Sequence, residues 1–352
     1  MRNFRLFKEY SFRPDPDHVT VFLSQNGTGK TSVLEAVYAL ATASSFRSSV
    51  ASDMVRTNEA TAEVHGVVFQ RERRVQVDLT LTRGIRTAKR MLVNGQRPRS
   101  RADVSEVLPL TIFTPEGVDI IRQGPEPRRV FLTNLLTDVD LTTGDVIERF
   151  NRILAQRNAI LRSLQGNHPS ANQLEELDVW SIDFCGVSEL VVELRRSLLL
   201  GLAPLVSRFY EALAQDHAQV SVSYAPSWSG DLLKALRNSL DDERFRGHTI
   251  IGPQRDDILF TIDGRDTRRQ ASQGEQRSLA LAIRLAGHEL VQQRRGVDPI
   301  LLLDDVFSEL DPLRGERLLH LLPKGQTLVT TASPLPSQLQ SAAVIDLTRV
   351  RR

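Results

Sequence analysis

The apolar run Val19–Leu23 (VTVFL) leads into Ser24-Gln25-Asn26-Gly27-Thr28-Gly29-Lys30-Thr31-Ser32, and a helical apolar pattern follows from Ser32 to Leu40. A buried strand, a glycine-bearing loop and a helix, in that order, are the grammar of an α/β fold. The loop fits the phosphate-binding spacing G-x-x-x-x-G-K-[ST], except that Ser24 stands at the first glycine. Gly27 and Gly29 let the backbone aim its N–H groups inward with no Cβ in the way. Lys30 can reach the outer phosphates of a nucleotide, and the Thr31 hydroxyl can ligate Mg²⁺. The positive end of the following helix adds to the same attraction. Gln25, Asn26, Gly27, Thr28, Gly29, Lys30, Thr31 and Ser32 are therefore the expected nucleotide-binding set.

A second apolar strand, Ile300–Leu303, ends in Asp304 and Asp305. Carboxylates at that end of a strand sit on the edge where open α/β sheets bind ligands. Asp304 is expected to hold Mg²⁺, and Asp305 to orient or deprotonate the attacking water, with Lys30 as its catalytic companion. A third motif is Ser272-Gln273-Gly274-Glu275, opening a helical apolar pattern over Ser278–Leu290. Ser272 and Glu275 also fit a capping box, and a capped helix N-terminus can receive a γ-phosphate. Asp311, six residues beyond Asp305, reads equally as a helix cap before Pro312 or as a residue reaching a partner subunit.

At 352 residues the chain is long enough for about two domains. No apolar run approaches the length of a membrane span. Met1 to Tyr10 lacks the apolar core of a signal peptide, and Cys185 is the only cysteine, so the expected location is the cytoplasm. The net charge is +2, but its distribution is uneven. Residues 71–101 hold ten Lys/Arg against Glu72 and Asp78. They read as a β-meander, with strands over Ala62–Phe69, Val75–Thr82 and Met91–Val93 and a hairpin turn at Asn94-Gly95. A cationic face on a near-neutral protein suits a polyanion. Arg71, Arg73, Arg74 and Arg97 are the candidate polyanion contacts, with Arg122, Arg128 and Arg129 as further ones. Helical spacing over Val146–Leu164 and Leu174–Leu202, ending before Pro204, makes the middle of the chain helical.

In this order, the phosphate loop, the serine-led signature and "LLLDDVFSELD" (Leu301–Asp311) resemble the ABC-type ATPase heads of the SMC/Rad50 superfamily. More narrowly the chain resembles the RecF family of bacterial recombination mediators. That resemblance rests on "QNGTGKTSVLEAVYALATASSFRS" (Gln25–Ser48), "FTPEGVDIIRQGPEPRRVFL" (Phe113–Leu132), "FNRILAQRNAIL" (Phe150–Leu161), "IIGPQRDD" (Ile250–Asp257) and "ASQGEQRSLALAIRLA" (Ala271–Ala286). Departures from the family pattern are Ser24 for Gly, Thr133 for Asp, Gln254 for His and Glu275 for Gln.

The resemblance implies an α/β fold, an ABC-type ATPase head (a P-loop NTPase with a mixed sheet and helices). The head would be built from N-terminal residues 1–124 and C-terminal residues 205–352. An inserted α-helical second domain would occupy 125–204, with no long coiled coil. It also implies ATP and Mg²⁺ as cofactors and a weak ATPase. ATP would be sandwiched in a homodimer, with Ser272, Gln273, Gly274, Glu275 and Asp311 of one chain acting in trans on nucleotide held by the other. Double-stranded, gapped and junction DNA would be bound, RecR and RecO would be partners, RecA an indirect one, and no membrane would be involved. A transporter ATPase is disfavoured by the 242 residues separating Lys30 from Ser272. A GTPase lacks its N-K-x-D reader here, and a non-hydrolysing DNA protein would not need Asp304 and Asp305.

Overall fold

The computed structural model describes all residues except 26, 71–72, 85, 167–168, 216, 333–341 and 348–352. By its internal contacts the chain forms two compact units: Met1–Gly117 with Phe209–Asp216 and Leu281–Arg352, and Val118–Arg208 with His217–Ala280.

The first unit contains a five-stranded sheet in the order Ala343–Asp346, Val19–Leu23, Thr327–Thr331, Ile300–Asp304, Leu110–Phe113. All neighbours in it run parallel. Strands covered on both faces read as unbroken apolar runs, and Thr327–Thr331 is buried at every position. The Lys30–Thr42 helix packs Val33 and Leu34 with Phe7, Phe22, Leu302 and Leu328. Its other flank, Ala36, Ala39 and Leu40, meets Val64, Val77, Leu79 and Leu81 of an antiparallel sheet. That sheet runs Phe7–Glu9, Arg2–Phe4, Thr61–Gln70, Arg73–Thr82, Ala88–Val93. Arg73–Thr82 alternates buried with more open positions, the period-two pattern of a strand with one face on the core.

Asn94 and Gly95 both take positive φ (49° and 79°), as the hairpin signal requires. The return limb, however, is a single bridge from Gln96 to Val93. Pro98 explains the stop, because it has no N–H to extend the ladder.

The second unit is mainly helical, with Pro125–Val139, Thr143–Ser163 and most of the 44-residue Ala171–Ala214 helix. It also holds the antiparallel sheet Arg265–Asp266, Asp257–Ile262, Val220–Ala225. The expected helix end before Pro204 is corrected: the helix runs through that proline. An interior proline costs about 3 kcal/mol, whereas a fully buried Leu, Val or Phe contributes about 1.5–3 kcal/mol. Leu198, Leu199 and Leu202 before Pro204, and Leu205, Val206 and Phe209 after it, are all buried. Their burial outweighs the broken bond. Inside the unit, fully buried Arg157 donates from each of its three nitrogens, to Glu243 at 2.6 Å, Thr249 at 2.7 Å and Ser181 at 3.0 Å.

In the first unit, His288 is buried in the Gln273–Arg295 helix, and its Nδ1 has no hydrogen-bond partner among the described residues. Burial pushes its pKa down to about 4 from the ordinary 6.5. The unfolded chain therefore takes up this proton before the folded one does. Stability is full above about pH 6.5 and falls as the pH drops towards 4, by about 3 kcal/mol in total. Urea unfolding from pH 7 to 4.5 should show this loss in the wild type and a flatter profile in His288→Leu. Identical profiles would remove His288 as the cause.

Candidate functional site

Parallel pairing brings the C-terminal ends of Val19–Leu23, Thr327–Thr331 and Ile300–Asp304 to one edge of the first unit's main sheet. The phosphate-loop residues and the acidic pair meet there. Gly27 and Gly29 have φ of 78° and 100°, so both use the left-handed freedom of glycine. At Gly29 the requirement is doubled, since a Cβ would lie 2.7 Å from the Phe7 ring. Asn26, part of the expected set, lies outside the described residues.

Lys30 is buried, and its Nζ donates to the Ser24 carbonyl and, at 3.1 Å, to the Gln25 carbonyl. Burial lowers its pKa, while the charges of Asp305 and Asp304 pull it back up. Ser24 is buried as well, and its hydroxyl has no hydrogen-bond partner among the described residues. Thr28 turns its hydroxyl to the Gln25 carbonyl at 2.7 Å, which tightens the loop.

Asp304 accepts from the Thr330 hydroxyl at 2.6 Å and also from Thr31. Its pKa is raised, first by burial and further by Asp305, against the hydrogen bonds from Thr330 and Thr31 and the charge of Arg47. Asp305 sits at φ 48°, a left-handed conformation that aspartate tolerates better than most side chains. Its N–H is fixed by the Thr330 carbonyl at 3.1 Å and the Thr330 hydroxyl at 3.0 Å. Its Oδ1 is buried without a hydrogen-bond partner among the described residues. An acid strained in its backbone and left with an orphaned buried oxygen is the arrangement expected where a ligand completes the site.

The donor set fits a nucleotide with a divalent cation. The loop amides, Lys30 and the helix N-terminus suit phosphate, and the Thr31 hydroxyl with the Asp304 carboxylate supplies hard oxygen donors. The sequence reading missed Thr330, which holds both aspartates. It also missed Phe7, which lies under Gly29, and the buried Glu35, which Arg5 grips at 2.7 Å through Nε.

Ser272 and Glu275 belong to the second unit. They form the capping box foreseen from the sequence: the Ser272 N–H donates to Glu275 at 2.6 Å, and the Glu275 N–H donates to Ser272 Oγ at 3.2 Å. The next residue, Gln276, is buried, accepts from Arg122 Nε at 2.9 Å and donates to the Thr267 carbonyl at 3.0 Å. Gln273 and Gly274 start the helix. In the first unit, Asp311 caps the Pro312–Leu321 helix through the Arg314 N–H at 3.0 Å and pairs with the Arg314 guanidinium at 2.8 Å.

The basic stretch is less uniform than its composition. Arg73, Arg74 and Arg97 are exposed. Lys89, Arg90 and Arg97 line a cavity of about 400 Å³. Arg71 lies outside the described residues. Arg83 instead turns back to the Val55 carbonyl at 2.9 Å. Arg128, a further candidate for DNA, is corrected: it is buried and held by Asp257 through two bonds at 2.7 and 3.0 Å.

Among the described residues no helix is long and apolar enough to cross a membrane. The family model for the RecF/RecN/SMC N terminal domain matches residues 1–345. The DNA replication and repair protein RecF of Acidothermus cellulolyticus is 33% identical over 346 residues, 95% of this chain and 92% of that one. The protein of the same name from Streptomyces avermitilis is 35% identical over 347 residues, again 95% and 92%. A solved structure, the recombination mediator protein RecF-ATP in the RecFOR pathway, superposes with a TM-score of 0.86 at 26% identity. It covers 95% of this chain and 90% of its own. The α/β head with a phosphate loop, the acidic strand end and these relatives place the chain in the RecF family, within the wider RecF/RecN/SMC group.

Proposed function

We propose that the protein is an ATP-dependent DNA-binding ATPase of recombinational repair and replication restart. The observation that carries this reading is the convergence of Lys30, Thr31, Asp304 and Asp305, with the orphaned Asp305 oxygen, at one sheet edge of a RecF-family chain. Gln25 to Ser32 bind the triphosphate, and Thr31 with Asp304 would hold Mg²⁺. When bound, Mg²⁺ would neutralise charge on the outer phosphates. Lys30 stabilises the charge that develops there, and Asp305 orients the attacking water. Ser272 and Gly274 of a second chain, with Asp311, close over the same nucleotide. A ligand held by both chains binds the dimer more tightly than the monomer, so it drives dimerisation. Loss of the γ-phosphate removes that link and opens the dimer.

In this reading residues 1–124 and 205–352 form the ATPase head and 125–204 the inserted helical domain. The dimer acts in the cytoplasm on double-stranded, gapped or junction DNA, with RecR and RecO, and so helps to load RecA. The RecFOR pathway of the solved relative supports those partners. Backbone contacts come from exposed arginines and read no sequence.

Replacing Arg73, Arg74 and Arg97 together by Gln tests the DNA surface. The slope of log K against log salt for duplex DNA should fall by up to about 3, because each lost phosphate contact removes about 0.9. An unaltered slope would move the contact surface elsewhere.

A further inference from the structure

The segment Ile250–Asp257 (IIGPQRDD) carries part of the family resemblance, yet the nucleotide chemistry uses none of it. In the second unit several arginines meet on it. Arg129 Nη1 donates to the Asp256 carbonyl at 2.9 Å. Arg195 Nη1 donates to the Pro253 carbonyl at 2.6 Å and to the Tyr224 hydroxyl at 3.3 Å. The Arg196 guanidinium lies 5.9 Å from the centre of the Tyr224 ring. Arg255 is part of the segment itself, and both it and Arg196 are exposed.

The charges here do not balance. Asp257 is committed to Arg128 through two bonds. Asp256 accepts from the Tyr224 hydroxyl and, at 2.7 Å, from the Ser227 N–H. Glu126 contributes its field at Arg129. The four remaining guanidiniums, of Arg129, Arg195, Arg196 and Arg255, therefore gather at a segment whose own two carboxylates, Asp256 and Asp257, are already engaged by other groups. Arg195 is 4% exposed, and its Nε has no hydrogen-bond partner among the described residues. The Arg129 pKa is held below the arginine norm by burial first, then by Arg195, with Arg255 adding to the effect. Asp257 and Glu126 only partly oppose it. Gathering like charges around a buried guanidinium costs stability, and such clusters concentrate where a ligand supplies the missing charge.

We propose that this arginine cluster is a second phosphate-binding site, taking the sugar–phosphate backbone of DNA. The inference rests on the DNA-acting reading above. Guanidinium forks match phosphate oxygens bidentately, and the cluster contains no lysine. A single carboxylate would answer one of these guanidiniums, whereas a nucleic-acid backbone brings a charge at every phosphate. Arg129 and Arg195, fixed by their bonds to the segment's carbonyls, form the floor of the site. Arg196 and Arg255 form its open rim.

The test uses the full chain with Arg196→Gln and Arg255→Gln, both at exposed positions, and the melting temperature monitors the fold. Duplex affinity is measured from low to moderate salt. The double variant should lose affinity, and its salt slope should be shallower by about 2, at about 0.9 per contact. A wild type that binds duplex normally, with a double variant of identical slope, overturns this site alone. A wild type that binds no duplex at any salt overturns the DNA-acting reading with it. Polyglutamate is the control polyanion: binding of wild type to it as tight as to DNA, and lost in the double variant, would assign the cluster to an acidic protein instead.

Discussion

Lys30→Met should weaken ATP binding by about 100-fold or more, as expected for removing a buried charge-assisted contact to phosphate. The methionine keeps much of the stem's volume, so the fold should persist. It loses the ammonium that the structure sets between the loop carbonyls and the two aspartates. If nucleotide drives assembly, the variant should also stay monomeric when ATP is added. Equilibrium binding of a fluorescent ATP analogue measures the first effect. Affinity within a few-fold of wild type would show that Lys30 does not face the triphosphate.

Asp305→Asn should behave in the opposite way. The side chain keeps its shape, and the backbone N–H remains tied to the Thr330 carbonyl and hydroxyl. ATP binding should change little. Hydrolysis should fall by about 10² to 10⁴, the range for losing a general base or water-orienting group. The slow step would then hold the nucleotide-bound form, and single-turnover assays would show bound ATP persisting. A kcat equal to wild type would move the catalytic carboxylate elsewhere. Neighbouring Asp304 is a poor replacement, because it is buried and its carboxylate already accepts from Thr330 and Thr31.

Much of the site was legible in the sequence because its parts are local. Val19–Leu23, the loop and the helix are contiguous, and Ile300–Asp304 carries its acids at its own end. The capping box of Ser272 and Glu275 is read within four residues. Thr330 was not legible. Its role comes from a parallel register that pairs Asp304 with Thr330, 26 residues further on, across two neighbouring strands. A run of TLVTT announces a buried strand and nothing about which hydroxyl meets a carboxylate.

The basic stretch shows the same limit in another form. Composition placed ten cations in 71–101, but Arg83 is bonded to a backbone carbonyl while Arg74 is exposed. Charge is visible in a sequence, whereas the partner that consumes it is not. Pro204 shows a tertiary term overriding a local one, because apolar burial on both sides carries the helix through a residue that would end it in isolation. The second-unit arginines at Arg129, Arg195 and Arg255 come from three separate segments. Only folding shows that they converge.

In the proposed dimer Ser272 of one chain seals the nucleotide held around Lys30 of another. Sedimentation velocity tests it most directly, on wild type and Ser272→Arg, each with and without a saturating non-hydrolysable Mg·ATP analogue. Wild type should be monomeric alone and dimeric with the analogue, and Ser272→Arg should bind the analogue yet remain a monomer. A Ser272→Arg protein that dimerises as wild type does, or a wild type that stays monomeric with nucleotide bound, would contradict it.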